Sequence, residues 1–235
     1  MPVYASGLNP TEPEILAARM RAQGYRAFKL KIGFGRARDL ANMKALRHVI
    51  GELPLMVDAN QAWDLDTARE MAPALEEHRP VWLEEPLRVD RPWTEWQQLA
   101  AGTSIGFAAG ENIAGFAAFD AALESHALRV VQPDLAKWGG FSGCLPVARR
   151  ILSHGLRFCP HFLGAGIGLL ASAHFLAAVG GDGVLEVDAN PNPLRSLTCG
   201  ALARVTDGKV TLTEEAGLGV PPDLTALREF SIALG

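Results

Sequence analysis

The chain has 235 residues, 49% of them hydrophobic and 20% charged, with a formal net charge of −4. That length and apolar content suffice for one large core, and a small net charge with no block of like charge removes the electrostatic case for nucleic acid or a membrane surface. MPVYASGLNP at the start lacks a basic segment followed by an apolar run, and no stretch of 18 apolar residues occurs, so a cytoplasmic protein acting on small molecules is expected.

Short apolar runs of strand type recur along the chain: PVYAS from Pro2, AFKLKIG from Ala27, PLMVDAN from Pro54, VWLEEP from Val81, GFAAGEN from Gly106, RVVQPDL from Arg129, RFCPHF from Arg157 and VLEVDA from Val184. Their starts are 25, 27, 27, 25, 23, 28 and 27 residues apart, and most intervals hold a helix-like segment. In the first interval Thr11 and Glu14 have capping-box spacing ahead of ILAARMRAQG. In the sixth, GCLPVARRILSHG has a period near 3.6 and ends in glycine. Eight strands alternating with helices predict an α/β fold of the TIM type, a (β/α)7β or (β/α)8 barrel over residues 1–190. An open doubly wound sheet is the other architecture, but no glycine-rich phosphate fingerprint follows the first strand. Residues 191–235 read as a hairpin, RVTDGKVTL with its turn at Asp207 and Gly208, and a tail, both packed on the same domain. Cys144, Cys159 and Cys199 form neither a disulfide framework nor a zinc pattern and read as reduced thiols.

Barrel enzymes place their chemistry at the C-terminal ends of the strands. Charged residues fall there on seven of the eight: Lys29 and Lys31, Asp58, Glu84 and Glu85, Glu111, Asp134, His161, then Glu186 and Asp188. Lys29 and Lys31 sit two apart and therefore share one face of their strand; inside a barrel that face needs an anionic counterpart. Asp58, Glu84 and Glu111 are 26 and 27 residues apart, one βα unit each, so they should stand side by side at the mouth. Three converging carboxylates repel unless they share a cation, and an oxygen-only set selects a hard ion, Mg²⁺ before Mn²⁺. His161 ends the seventh strand next to Asp134 on the sixth, so the carboxylate can orient the ring as a base. His48, His78, His126, His154 and His174 fall in or beside helices and read as surface or packing residues. Positive charge from a neighbouring lysine and a metal favours a neutral amine able to take a proton. Two potential bases then face one bound molecule, which suits abstraction of the proton α to a carboxylate through an enediolate.

The ordered set KxK, VDAN, EEP, GEN, PDLAKWGG, the seventh-strand His and the eighth-strand Glu resembles the enolase superfamily, and within it the mandelate racemase subgroup, over nearly the whole chain. The resemblance implies Asp58, Glu84 and Glu111 as metal ligands, with Asn60, Glu85, Asn112 and Lys137 supporting them. It implies Lys31 as one acid/base, the His161–Asp134 pair as the other, and Lys29 with Glu186 as the groups that bind the substrate carboxylate or the enediolate. Muconate-lactonizing and dipeptide-epimerase relatives carry a catalytic lysine where this chain has Asp134, which favours the racemase-like subgroup; Lys137, three residues on, reads as structural. Dehydration of a hydroxylated carboxylic acid, an acid sugar, to a 2-keto acid is the expected reaction, making the protein a hydro-lyase. Racemisation or epimerisation would use the same residues. Family members place an α+β capping domain ahead of the first barrel strand, whereas this chain starts at that strand, so a missing cap is expected. An open mouth, self-association or a partner chain on the barrel rim, and a non-catalytic barrel in need of a capping partner follow as expectations.

Overall fold

Residues 1–221, 223 and 225–231 are described in the computed structural model of the chain. The eight strands are β1 (Val3–Leu8), β2 (Phe28–Lys31), β3 (Leu55–Asp58), β4 (Leu83–Glu84), β5 (Phe107–Ala109), β6 (Leu128–Val131), β7 (Arg157–Phe158) and β8 (Leu185–Asp188). Between and after them run α1 (Pro13–Ala22), α2 (Arg36–Ile50), α3 (Leu65–Glu76), α4 (Trp93–Ala100), α5 (Phe116–Glu124), α6 (Gly140–Ser153), α7 (Gly166–Val179) and the short α8 (Pro193–Thr198). All strand pairs are parallel, in the order β7-β6-β5-β4-β3-β2-β1-β8, as a βα repeat requires. Among the described residues no ladder pair joins β7 to β8. That seam is crossed instead by bonds involving side chains, Val184 N–H to Cys159 Sγ at 3.4 Å and Phe162 N–H to Glu186 Oε2 at 3.2 Å.

The two-residue period of each strand divides the core. Outward-facing residues such as Phe28, Leu30, Val57, Leu83 and Phe107 join the helices in one large cluster. Inward-facing Tyr4, Met56, Trp82, Ala108, Val130 and Cys159 fill a second cluster inside the barrel. Two residues further along those same inward faces come Ser6, Asp58, Glu84, Gln132 and His161, so the interior passes from apolar to polar within about 7 Å of strand. The parallel register sets Lys31 opposite Asp58 and Asp58 opposite Glu84.

Two local features differ in detail from the sequence reading. The Thr11–Glu14 capping box does not form: α1 begins at Pro13, Glu12 is its N-cap in a left-handed conformation, and no side chain caps it. Proline has no N–H and fixes its own φ, so it starts the helix without the bond a capping box supplies, and Thr11 Oγ1 instead accepts from Arg38 at 3.2 Å. The hairpin is reduced to a single antiparallel bridge between Thr206 and Lys209 around Asp207 and Gly208, both at positive φ. It docks on the entry to β1 through Val3 N–H to Gly208 O at 2.9 Å and Met1 to Val210 O at 2.7 Å. The part of the expected tail at residues 222, 224 and 232–235 lies outside the described residues. Among the described residues no helix is long and apolar enough to cross a membrane.

Candidate active site

Asp58, Glu84 and Glu111 are buried and converge at the C-terminal mouth, each offering an oxygen within 4.8 Å of the others. Asp58 and Glu84 come from adjacent strands in register. Glu111 is brought in by Gly110, where a Cβ would lie 2.5 Å from the backbone of Gln132, so the close approach of two strands requires glycine. Three carboxylates with no sulfur or imidazole between them suit a hard divalent ion such as Mg²⁺, and they leave coordination positions for water or a substrate oxygen. Burial and the neighbouring Glu84 push Asp58 up to about 6, against Lys29 and Lys31.

The two lysines of the KxK pair lie at different depths. Lys29 is sealed from solvent and its ammonium sits 2.7 and 2.8 Å from the Glu84 oxygens, 2.7 Å from Glu186 Oε1 and 3.9 Å from Asp58 Oδ2. Burial alone would lower its pKa; Glu186 and Glu84 outweigh that and raise it well above the usual lysine value. Lys29 is therefore a floor group whose charge is favoured by the carboxylates around it. Lys31 stands one step higher, 13% exposed, 2.5 Å from Asp58 Oδ2 and 2.8 Å from Asn60 Oδ1. It is the more exposed of the two lysines.

On the opposite wall His161 Nδ1 lies 2.8 Å from Asp134 Oδ2, while Nε2 is 3.0 Å from Glu111 and 3.8 Å from Glu186. The other Asp134 oxygen accepts the N–H groups of Ala136 and Lys137, which fixes the carboxylate that fixes the ring. Burial opposes charge on His161, yet Glu186, Asp134 and Glu111 push it up to about 10. Asp134 is held below the ordinary carboxylate range: burial works the other way, and His161 outweighs it. Round the ring His161 on the β7 side and Lys31 on β2 are three strands apart by the shorter path, so they approach the centre from different sides.

Of the four supporting residues, Asn60 and Lys137 reach the three carboxylates, while Glu85 and Asn112 pair with each other beside them. Asn60, at φ 45°, donates its N–H to Asp58 Oδ1 and its side chain to Glu111 at 3.4 Å. Asn112 grips both oxygens of Glu85 at 3.0 and 2.8 Å, and burial beside Glu111 pushes Glu85 up to about 8. Lys137 reaches Glu111 Oε2 at 2.6 Å from a side chain 46% exposed, so it meets the candidate metal centre directly. Asp188 turns away to Asn190 and Arg195 and has no contact with the three carboxylates. Three contributors were missed from sequence: Ser6, which donates to Glu186 at 2.5 Å, and Trp82 and Gln132, which donate to Glu84 at 3.2 and 2.8 Å. Trp82 and Gln132 stand two residues before a charged strand-end residue, Glu84 and Asp134, and that spacing was the available signal.

Fold and site together define a (β/α)8 barrel whose mouth gathers three buried carboxylates between a lysine and a His–Asp pair. The chain belongs to the enolase C-terminal domain-like family, whose sequence model matches residues 14–226. It is 34% identical over 222 residues to the D-galactarolactone cycloisomerase of Agrobacterium fabrum, covering 91% of this chain and 58% of that protein. Against the L-talarate/galactarate dehydratase of Salmonella typhimurium the identity is 34% over 202 residues, 85% of this chain and 48% of the relative. The crystal structure of a mandelate racemase/muconate lactonizing enzyme from Bordetella bronchiseptica superposes with a TM-score of 0.94 at 60% identity, covering 97% of this chain and 64% of that one. The chain thus spans less than two thirds of the length of these relatives.

Proposed function

We propose that the barrel abstracts the proton α to the carboxylate of a hydroxylated acid, an acid sugar, and expels its β-hydroxyl to give a 2-keto acid. The observation that carries this reading is the placement of Lys31 and the His161–Asp134 pair on different sides of the barrel mouth, around buried carboxylates and Lys29. Asp58, Glu84 and Glu111 would hold Mg²⁺, and that ion would supply Lewis-acid charge to the substrate carboxylate as it becomes electron-rich. Lys31 takes the α proton. Lys29, charged and sealed, together with Glu186, sets the potential against which the carboxylate is seated. His161, with its charge favoured by three carboxylates, is suited to deliver a proton to the departing hydroxyl. A dehydratase and a cycloisomerase among the relatives support a sugar-acid substrate class.

The same face bears the exposed apolar side chains. Six of the eight large exposed hydrophobics among the described residues, Ile15, Phe34, Phe116, Phe141, Ile167 and Leu194, lie in the loop before a helix or in its opening residues. In a βα barrel those positions ring the mouth. This supports a cover over the site, a capping segment or another chain, that excludes water and contributes substrate contacts.

The test is an assay of mono- and diacid sugars for keto-acid formation with Mg²⁺, run with and without a family-type capping domain supplied in trans or fused ahead of Met1. Capped turnover to a 2-keto acid is the expected result. Isomerisation or α-proton exchange without keto acid would replace dehydration by racemisation, and no exchange of any acid with D₂O would refute the chemistry.

A further inference from the structure

Glu84 differs from the other two carboxylates in how it is held. Asp58 and Glu111 are contacted by Lys31, Asn60 and Lys137, none of them buried, and by His161. Glu84 is held by groups sealed inside the barrel. Its Oε2 accepts from Gln132 Nε2 at 2.8 Å, from Trp82 Nε1 at 3.2 Å and from Lys29 at 2.8 Å, while Oε1 has only Lys29, at 2.7 Å. Trp82 and Gln132 are each 1% exposed, so no substrate can compete for their protons.

We infer that Trp82 and Gln132 are positioning residues for the cation centre, fixing one oxygen of Glu84 so that the other, held by Lys29 alone, is left for the cation. Three details support the assignment. Both donors are neutral, so they orient the carboxylate without cancelling the charge a cation needs. Indole N–H can only donate, and the Trp82 ring is locked in place by an edge contact with Tyr4 at 5.7 Å. Gln132 Oε1 is buried and has no partner, a cost that a core without this task avoids by using an apolar side chain. Flipping the amide would set that oxygen against Glu84, so the carboxylate dictates the orientation. Partners of this kind around metal ligands change affinity by about 10–100-fold when removed.

This inference rests on the proposed cation role of Glu84. The experiment measures Mg²⁺ binding by calorimetry for the wild type, Gln132→Met, Trp82→Phe and Val130→Ala, with thermal unfolding of each. Val130 lies in the same interior layer, 5% exposed, and has no bond to Glu84. Gln132→Met and Trp82→Phe are expected to weaken Mg²⁺ about tenfold or more, while Val130→Ala lowers the melting temperature and leaves affinity unchanged. Wild-type affinity in folded Gln132→Met or Trp82→Phe overturns the inference, as does an equal loss in Val130→Ala. Failure of the wild type to bind Mg²⁺ overturns the cation reading and this inference with it.

Discussion

Replacing Lys29 with methionine keeps a stem of similar length and deletes one charge that two buried carboxylates share. The ammonium is 0% exposed, with contacts at 2.7 and 2.8 Å to Glu84 and 2.7 Å to Glu186. Removing one partner of a buried ion pair costs about 3–5 kcal/mol because the other charge is left uncompensated. Here two carboxylates are stranded, which favours the upper end, and uptake of a proton by the pair limits the loss. At roughly 2–4 °C per kcal/mol for a chain of this size, the melting temperature should fall by about 6–20 °C. Urea unfolding of both proteins at pH 8 and pH 5 measures it, and the deficit should shrink at pH 5, where the stranded pair is protonated more readily. Added Mg²⁺ should raise the melting temperature of Lys29→Met more than that of the wild type. A destabilisation under about 1 kcal/mol at pH 8 would show that the ammonium does not hold these carboxylates together.

Asp58→Asn and Glu111→Gln should each weaken Mg²⁺ by more than about 100-fold, beyond the effect of losing a supporting contact; unchanged affinity in calorimetry for both contradicts the cation centre. His161 is raised from 6.5 to about 10 in the folded chain, so its contribution to stability is complete below about pH 6.5 and is lost as pH climbs toward 10. Wild-type melting temperature without added metal should therefore decline across that window more steeply than that of His161→Asn; parallel profiles would contradict the ion pairs drawn for His161. Gly110→Ala places a Cβ 2.5 Å from the Gln132 backbone and should cost about 1–3 kcal/mol, visible as a lower melting temperature together with weaker Mg²⁺ binding because Glu111 follows directly.

The barrel was legible because each parallel strand is buried on both faces and therefore reads as an apolar run, and because one βα unit recurs every 23 to 28 residues. The same spacing brought Asp58, Glu84 and Glu111 together. Depth was not legible: Lys29 and Lys31 share a face, but two residues along a strand separate a sealed floor from a cavity wall, and only packing around Tyr4 and Glu186 decides which lysine is which. Lys137 was also obscured, since its reach to Glu111 depends on the turn after β6 and not on strand periodicity. Ser6 gave no signal at all, because its bond to Glu186 crosses the barrel interior between residues 180 apart in sequence. Local signals also failed at Thr11, where Pro13 overrode a capping pattern.

The seam between β7 and β8 gives the barrel an uneven stiffness. Among the described residues seven strand joints carry backbone ladders, and the eighth is tied through side chains, the Cys159 thiol, the Glu186 carboxylate bonded to the Phe162 amide, and Arg157 donating to Asp182 O. His161 and Glu186 stand on its two sides. The amides beside the proposed chemistry should thus exchange with solvent sooner than those of β1 to β3, the opposite of a scaffold rigid at its centre. An acid gripped from both sides would bridge the gap, so that the bound molecule itself completes the ring and the protection of β7 and β8 amides reports occupancy.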